Sequence, residues 1–143
     1  MVVKSEDVFF LARGEEDEKP LIFRGLSAVP TGVHEADLPD RVAIVWSYDS
    51  QNGMPDSNTN IAQITFEDTL ESLDVNAVGR LVLVVTGNNR KEWHWYVRDF
   101  DDWMVQMNQR LETQPFYPIE IMHFYEPDWA LYKNFIVGVR APH

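Results

Sequence analysis

Arg80-Leu-Val-Leu-Val-Val-Thr-Gly-Asn-Asn-Arg-Lys-Glu-Trp-His-Trp-Tyr-Val-Arg-Asp99 is the stretch whose reading decides the fold. Two strand-like runs flank Gly87-Asn88-Asn89, and in the second Trp93, Trp95 and Val97 alternate with Glu92, His94, Tyr96 and Arg98. Period-two alternation around a short turn predicts a β-hairpin. One face of its second strand is then aromatic, and the other carries an acid, an imidazole, a phenol and a guanidinium in a row. Glu92, His94, Tyr96 and Arg98 are therefore the candidate ligand- or partner-binding residues, although they form no recognisable catalytic motif.

Upstream of the hairpin, Arg41 to Tyr48 reads as a strand, with Val42, Ile44 and Trp46 on one side and Ala43 and Val45 on the other. So continuous an apolar run suits a central position in a sheet. Asn58 to Leu73 places Ala62, Phe66, Leu70 and Leu73 at three- and four-residue spacing, which predicts a helix with Asp56, Ser57 or Asn58 as its cap. Downstream, Phe100, Trp103, Met104, Met107 and Leu111 form the stripe of a second helix, with Asp101 and Asp102 in its first turn. Ile119 to Tyr125 reads as a further strand, and Trp129 to Phe135 as a short closing helix or turn. At the N-terminal side, Val8 to Arg13 and Pro20 to Leu26 predict a hairpin around a charged loop containing Gly14.

From Arg41 onward the order is strand, helix, strand, strand, helix, strand. This predicts an α+β fold of the ferredoxin-like split βαβ kind, an antiparallel sheet with its helices on one face, extended by the N-terminal β-hairpin. The second sheet face is expected to be open, or covered by the extra hairpin, the C-terminal segment or a second subunit.

The 143 residues fit a single domain spanning 1–143, and no internal repeat or low-complexity segment divides them. Twelve basic against twenty-three acidic residues give a net charge of −11, which repels phosphate backbones and anionic membranes. Direct nucleic-acid and membrane binding are disfavoured. Cysteine is absent, which removes disulfides, thiolate metal sites and cysteine nucleophiles. The N-terminal Met1 to Asp7 has no apolar run of signal-sequence length, and no stretch approaches the ~20 residues of a spanning helix. A cytoplasmic protein is expected.

Trp46-Ser47-Tyr48, Gly53-Met54-Pro55, Phe66-Glu67-Asp68-Thr69-Leu70, the strand from Gly79 to Thr86, Glu92 to Asp99, and Glu126-Pro127-Asp128-Trp129 with Tyr132 carry a family likeness. In order and spacing they resemble the uncharacterised bacterial family known as domain of unknown function 695, over nearly the whole chain. The family's late motif is Asp-Pro-x-Trp, so Glu126 is a departure from it. No activity or catalytic residue comes with the resemblance. Relatives joined to domains resembling regulator of ribonuclease E activity B imply a regulatory or interaction role.

Taken singly, the chemistry-bearing residues have structural readings beside functional ones. His94 between Glu92 and Tyr96 suits a general base, a ligand, or a cross-strand polar contact. His123 lies one strand beyond Arg41's strand in the expected order, ~9 to 10 Å from His94 by two interstrand spacings, too far for joint metal ligation. No metal and no cofactor are expected. Glu67 and Asp68 are sequential on a helix and diverge, so they make no acid–base pair. Asp128 is expected to cap the closing segment while Trp129 anchors it in the core. The functional expectation is a noncatalytic acidic domain that binds and modulates another protein, with a homodimer through a sheet face as one form of partner. The alternative is a small-molecule-binding domain or unrecognised enzyme using the polar sheet face.

Overall fold

The computed structural model describes residues 8–140. The N-terminal Met1 to Asp7, on which the absence of a signal sequence was argued, lies outside the described residues. Six strands form one sheet that is antiparallel at every pairing: β1 (Phe9–Glu16), β2 (Lys19–Leu26), β3 (Asp40–Ser47), β4 (Gly79–Gly87), β5 (Arg90–Val97) and β6 (Ile119–Tyr125). Their order across the sheet is β1-β2-β4-β5-β3-β6. The helices are α1 (Ser57–Leu70), α2 (Phe100–Leu111) and α3 (Ala130–Arg140).

Both tight hairpins turn on residue pairs in the left-handed region. Asn88 and Asn89 have φ of 49° and 69°, and Asp17 and Glu18 have φ of 51° and 65°. Two consecutive positive φ values match the right-handed twist of paired strands, and Asn and Asp tolerate them best. The N-terminal turn is thus only Asp17-Glu18. The expected charged loop around Gly14 is instead strand, with Gly14, Glu15 and Glu16 paired to Leu21, Pro20 and Lys19. Gly87 leads into the second turn at φ 141°, and a Cβ there would sit 2.3 Å from the Pro20 carbonyl oxygen, so no larger residue fits beside β2.

The alternation of β5 divides the core into two. Trp93, Trp95 and Val97 join Val42, Ile44 and Trp46 from β3 and Phe66, Leu70, Trp103 and Met107 from α1 and α2 in one buried cluster, with Leu111 packed at its margin. The side chain of Asp56 accepts from the Thr59 N–H and that of Asp99 from the Asp102 N–H, so each helix starts at an aspartate cap. α1 ends at Leu70, where the chain tightens into a single 3-10 turn, Glu71–Leu73. The predicted helix therefore stops three residues early, although Leu73 remains in the core.

On the opposite face, Leu21, Leu26, Leu83, Val85 and Tyr96 form a second cluster closed by Trp129 and Tyr132, with Leu131, Phe135 and Ile136 packed against it. The C-terminal segment is thus what covers part of the second face. It is a full helix to Arg140, longer than the short turn expected from Trp129 to Phe135.

Candidate functional site

The polar row of β5 lies on the α3 face, and three of its four residues are brought together. Glu92 Oε1 is 3.0 Å from His94 Nε2, while Glu92 Oε2 accepts from Arg90 Nε at 2.8 Å. Register places Arg41 of β3 opposite Tyr96, and its Nη1 lies 3.3 Å from His94 Nδ1. A guanidinium has only donors, so Nδ1 must accept, and the ring is the neutral tautomer that donates Nε2–H to Glu92.

The chain of contacts continues to Glu126, just after β6. Arg41 Nε donates to Glu126 Oε1 at 3.2 Å, and the Tyr96 hydroxyl donates to Glu126 Oε2. The Leu131 N–H at the start of α3 also reaches Oε2, at 3.2 Å, and the Tyr132 N–H approaches the Tyr96 oxygen at 3.4 Å. Glu126, rather than Asp128, therefore supplies the carboxylate at this helix start. The side chain is longer than the Asp of the motif it departs from, and it spans a phenol, a guanidinium and a backbone N–H together.

Burial sets the chemistry of the row. His94 is 5% exposed and Tyr96 fully covered, with Trp129 lying on its ring. The His94 hydrogen bond, helped by Arg90, outweighs desolvation and holds the Glu92 carboxyl down at about 2. Burial, with the Glu126 carboxylate second, pushes the Tyr96 phenol well above its ordinary range. A phenol held protonated, a carboxylate held ionised and an imidazole with both nitrogens engaged make a latch between sheet and helix.

Arg98 does not join them. It follows the end of β5, is exposed, and donates Nε to the Ala77 carbonyl at 3.0 Å. His123 faces the other side of the sheet, stacked on Phe100 of α2 at 4.2 Å and 3.1 Å from Asp40 Oδ1. β3 separates it from the strand of His94. Among the described residues no group of three or more His, Asp or Glu is placed to hold a metal ion. Glu67 accepts from Arg24 at 2.5 Å and from the Trp93 indole at 2.8 Å, tying α1 to β2 and β5, while Asp68 is exposed.

Sequence reasoning missed Arg41, Arg90 and Glu126 as members of the network. Arg41 opens a strand, and only the cross-strand register shows that it falls between Tyr96 and Phe124, over whose ring its guanidinium sits at 4.2 Å. The one signal for Glu126 was its departure from an otherwise matched motif.

Fold and network together define an acidic α+β domain whose closing helix is latched across an antiparallel sheet by buried polar groups. The family model described as "Family of unknown function (DUF695)" matches residues 11–137, and the chain belongs to that family. No curated protein matches the chain, and no solved structure matches it. No helix of the described residues is long and apolar enough to cross a membrane.

Proposed function

We propose that this is a noncatalytic protein-interaction or regulatory domain, acting in the cytoplasm, that presents the β6 edge of its sheet to an extended segment of a partner protein. β3 to β6 with α1 and α2 are read as a ferredoxin-like split βαβ unit, a reading supported by the strand order β4-β5-β3-β6. In that unit β6 is an outer strand.

The observation that carries the proposal is the character of this edge. β6 holds one carboxylate, Glu120, and no lysine, arginine or proline. Met122, Phe124 and Tyr125 are 43%, 42% and 75% exposed. Edge strands are ordinarily protected by charge, proline or a bulge, and an unprotected one pairs with added strands. The opposite edge, β1, carries Arg13, Glu15 and Glu16. A net charge of −11 opposes a second copy at close range and favours a partner segment with basic flanks. The engaged state of Glu92, His94 and Tyr96 weighs against the row as a reactive centre.

The test is capture of partners from the native cell by the unaltered chain, followed by binding measurements with the purified partner. Met122→Lys with Phe124→Lys should abolish that binding, while substitutions at β1 leave it unchanged. Equal affinity in a folded double variant would overturn the β6 assignment. A concentration-dependent dimer lost in the same variant would replace the partner segment with a second copy.

A further inference from the structure

Phe9-Phe10-Leu11-Ala12 of β1 and Leu21-Ile22-Phe23 of β2 are apolar without interruption, the pattern of strands that are covered on both faces. Only one face of them is covered. Phe10 and Phe23 pack on Phe135 of α3, and Leu21 joins the buried cluster on that side. On the other side, register sets Leu11 opposite Arg24 and Arg24 opposite Val84, so Leu11, Ile22 and Arg24 share the face of the sheet that carries α1 and α2. Cover on that face stops at β4. Val84 is buried, whereas Phe9, Leu11 and Ile22 are 41%, 74% and 40% exposed.

The bare face forms a groove with the flank of α1. Arg24 donates to Glu67 across it, and Ile64, one helical turn before Glu67, is exposed on the same flank. At one end the groove deepens to a cavity of about 210 Å³ between Phe9 and Arg24 on the sheet and Glu67, Asp68 and Glu71 at the end of α1, with the buried Trp95 beneath. This end is acidic. α1 contains no lysine or arginine, Arg24 is already held by Glu67, and Asp68 and Glu71 make no ion pair among the described residues. The carboxylates also lie at the C-terminal end of the helix, where its dipole adds negative charge.

We infer that this groove receives an amphipathic α-helix of a partner protein, with its apolar stripe on Phe9, Leu11, Ile22 and Ile64 and its lysines or arginines against Asp68 and Glu71. Two strands are ~10 Å wide by interstrand spacing, the width of one helix. Their eight residues each extend ~26 Å, which about 18 helical residues match. The helix would lie beside α1 as a further member of its layer, seated by its apolar face as in other helix-in-groove complexes. A second copy would set acid against acid, and the net charge of −11 opposes it. An extended segment pairs along a sheet edge and leaves this face bare. The groove lies at the opposite side of the sheet from β6 and takes a different kind of segment.

The experiment is a titration of the 15N-labelled chain with a capped leucine–lysine peptide of about 18 residues, its leucines at helical spacing on one side and its lysines on the other. Saturable shifts centred on the amides of Phe9, Leu11, Ile22, Ile64 and Glu71 are expected, with a gain of helical circular dichroism in the peptide. A scrambled peptide whose leucines no longer share a side, and one with glutamate for lysine, should each bind about tenfold more weakly or worse. Leu11→Gln with Ile22→Thr should reproduce that loss, whereas Met122→Lys with Phe124→Lys should leave peptide binding intact. Equal binding of the scrambled peptide would remove the helix, and equal binding of the glutamate peptide the charge match. Shifts spread over the acidic surface or centred on β6, or no shift, would remove the groove; each of these overturns the proposal. A dimer of the chain that the Leu11 and Ile22 substitutions dissolve would replace the partner helix with a second copy. The peptide comparisons decide the matter on the unaltered chain even where a variant fails to fold. A purified β6 partner should bind the Leu11 and Ile22 variant normally, so the two surfaces fail separately.

Discussion

Trp129 lies flat on Tyr96, ring centroids 4.4 Å apart and planes 5° from parallel. The contact depends on a local backbone choice, because Trp129 has φ 56°, a left-handed step that turns the chain from β6 back over the sheet. The same indole donates to the carbonyls of Glu35 and Leu38 and meets Tyr132 edge-on. One side chain therefore joins α3, the sheet and the 3-10 turn.

Trp129→Ala should accordingly lower the unfolding free energy by about 3–5 kcal/mol, the range for emptying a buried large aromatic site. The urea midpoint measures it. A midpoint equal to that of the unaltered chain would show that α3 holds its place without this ring.

Glu126 tests the polar half of the latch. Its carboxylate meets Arg41, Tyr96 and the Leu131 N–H, and Arg41 is 8% exposed. Glu126→Ala strands a buried guanidinium and should cost about 3–5 kcal/mol. Glu126→Gln keeps an acceptor oxygen and should cost less, and Tyr96→Phe, which removes one bond to a charged group, about 1.5–3 kcal/mol. Equal losses in the Ala and Gln variants, read from chemical unfolding, would assign the whole effect to the charge that both remove and show that the acceptor oxygen kept by Gln contributes nothing.

Acid sensitivity should trace to Glu92. Its carboxyl is depressed from 4.5 to about 2 in the folded chain, chiefly by the His94 hydrogen bond. Folding thus favours the ionised form. The associated stability is complete above the unfolded value near 4.5 and is lost as pH falls through the folded value near 2. A shift of this size corresponds to about 3 kcal/mol between neutral pH and pH ~2. Unfolding free energies measured over that window should fall less steeply in Glu92→Gln. Parallel curves would assign the acid sensitivity to other carboxylates.

Strands and helices with one clean period were legible in the sequence. The stripe from Phe100 to Leu111 and the run from Ile119 to Tyr125 became α2 and β6 with those bounds, because local spacing alone decides them. Glu15 and Glu16 were read as loop because their composition is polar, whereas pairing with β2 holds them as an exposed edge. The latch was half legible. Alternation puts Glu92, His94 and Tyr96 on one face, but their burial depends on α3 and their partners on a register 30 to 85 residues away in sequence. Arg98 parts from the row because β5 ends at Val97, and strand alternation no longer governs its direction.

Gln63 shows the same limit in the core and yields the last prediction. Its neighbours on the helical stripe, Phe66 and Leu70, were evident as apolar positions, whereas Gln63 reads as surface in a sequence. In the structure it shares their face of α1 and is fully buried, with neither amide atom hydrogen-bonded to a described group. Burying an amide without partners costs about 1–3 kcal/mol by mutational scales. Met has nearly the same length and volume and no polar atoms, so Gln63→Met should keep the packing and stabilise the chain by about 1–2 kcal/mol. Gln63→Ala removes the amide but leaves a cavity, so it should lose part or all of that gain. Thermal and urea unfolding of the two variants give the comparison. A destabilised Met variant would mean that an internal water or a ligand satisfies this amide, and would make Gln63 a polar contact of α1 instead of a cost of folding.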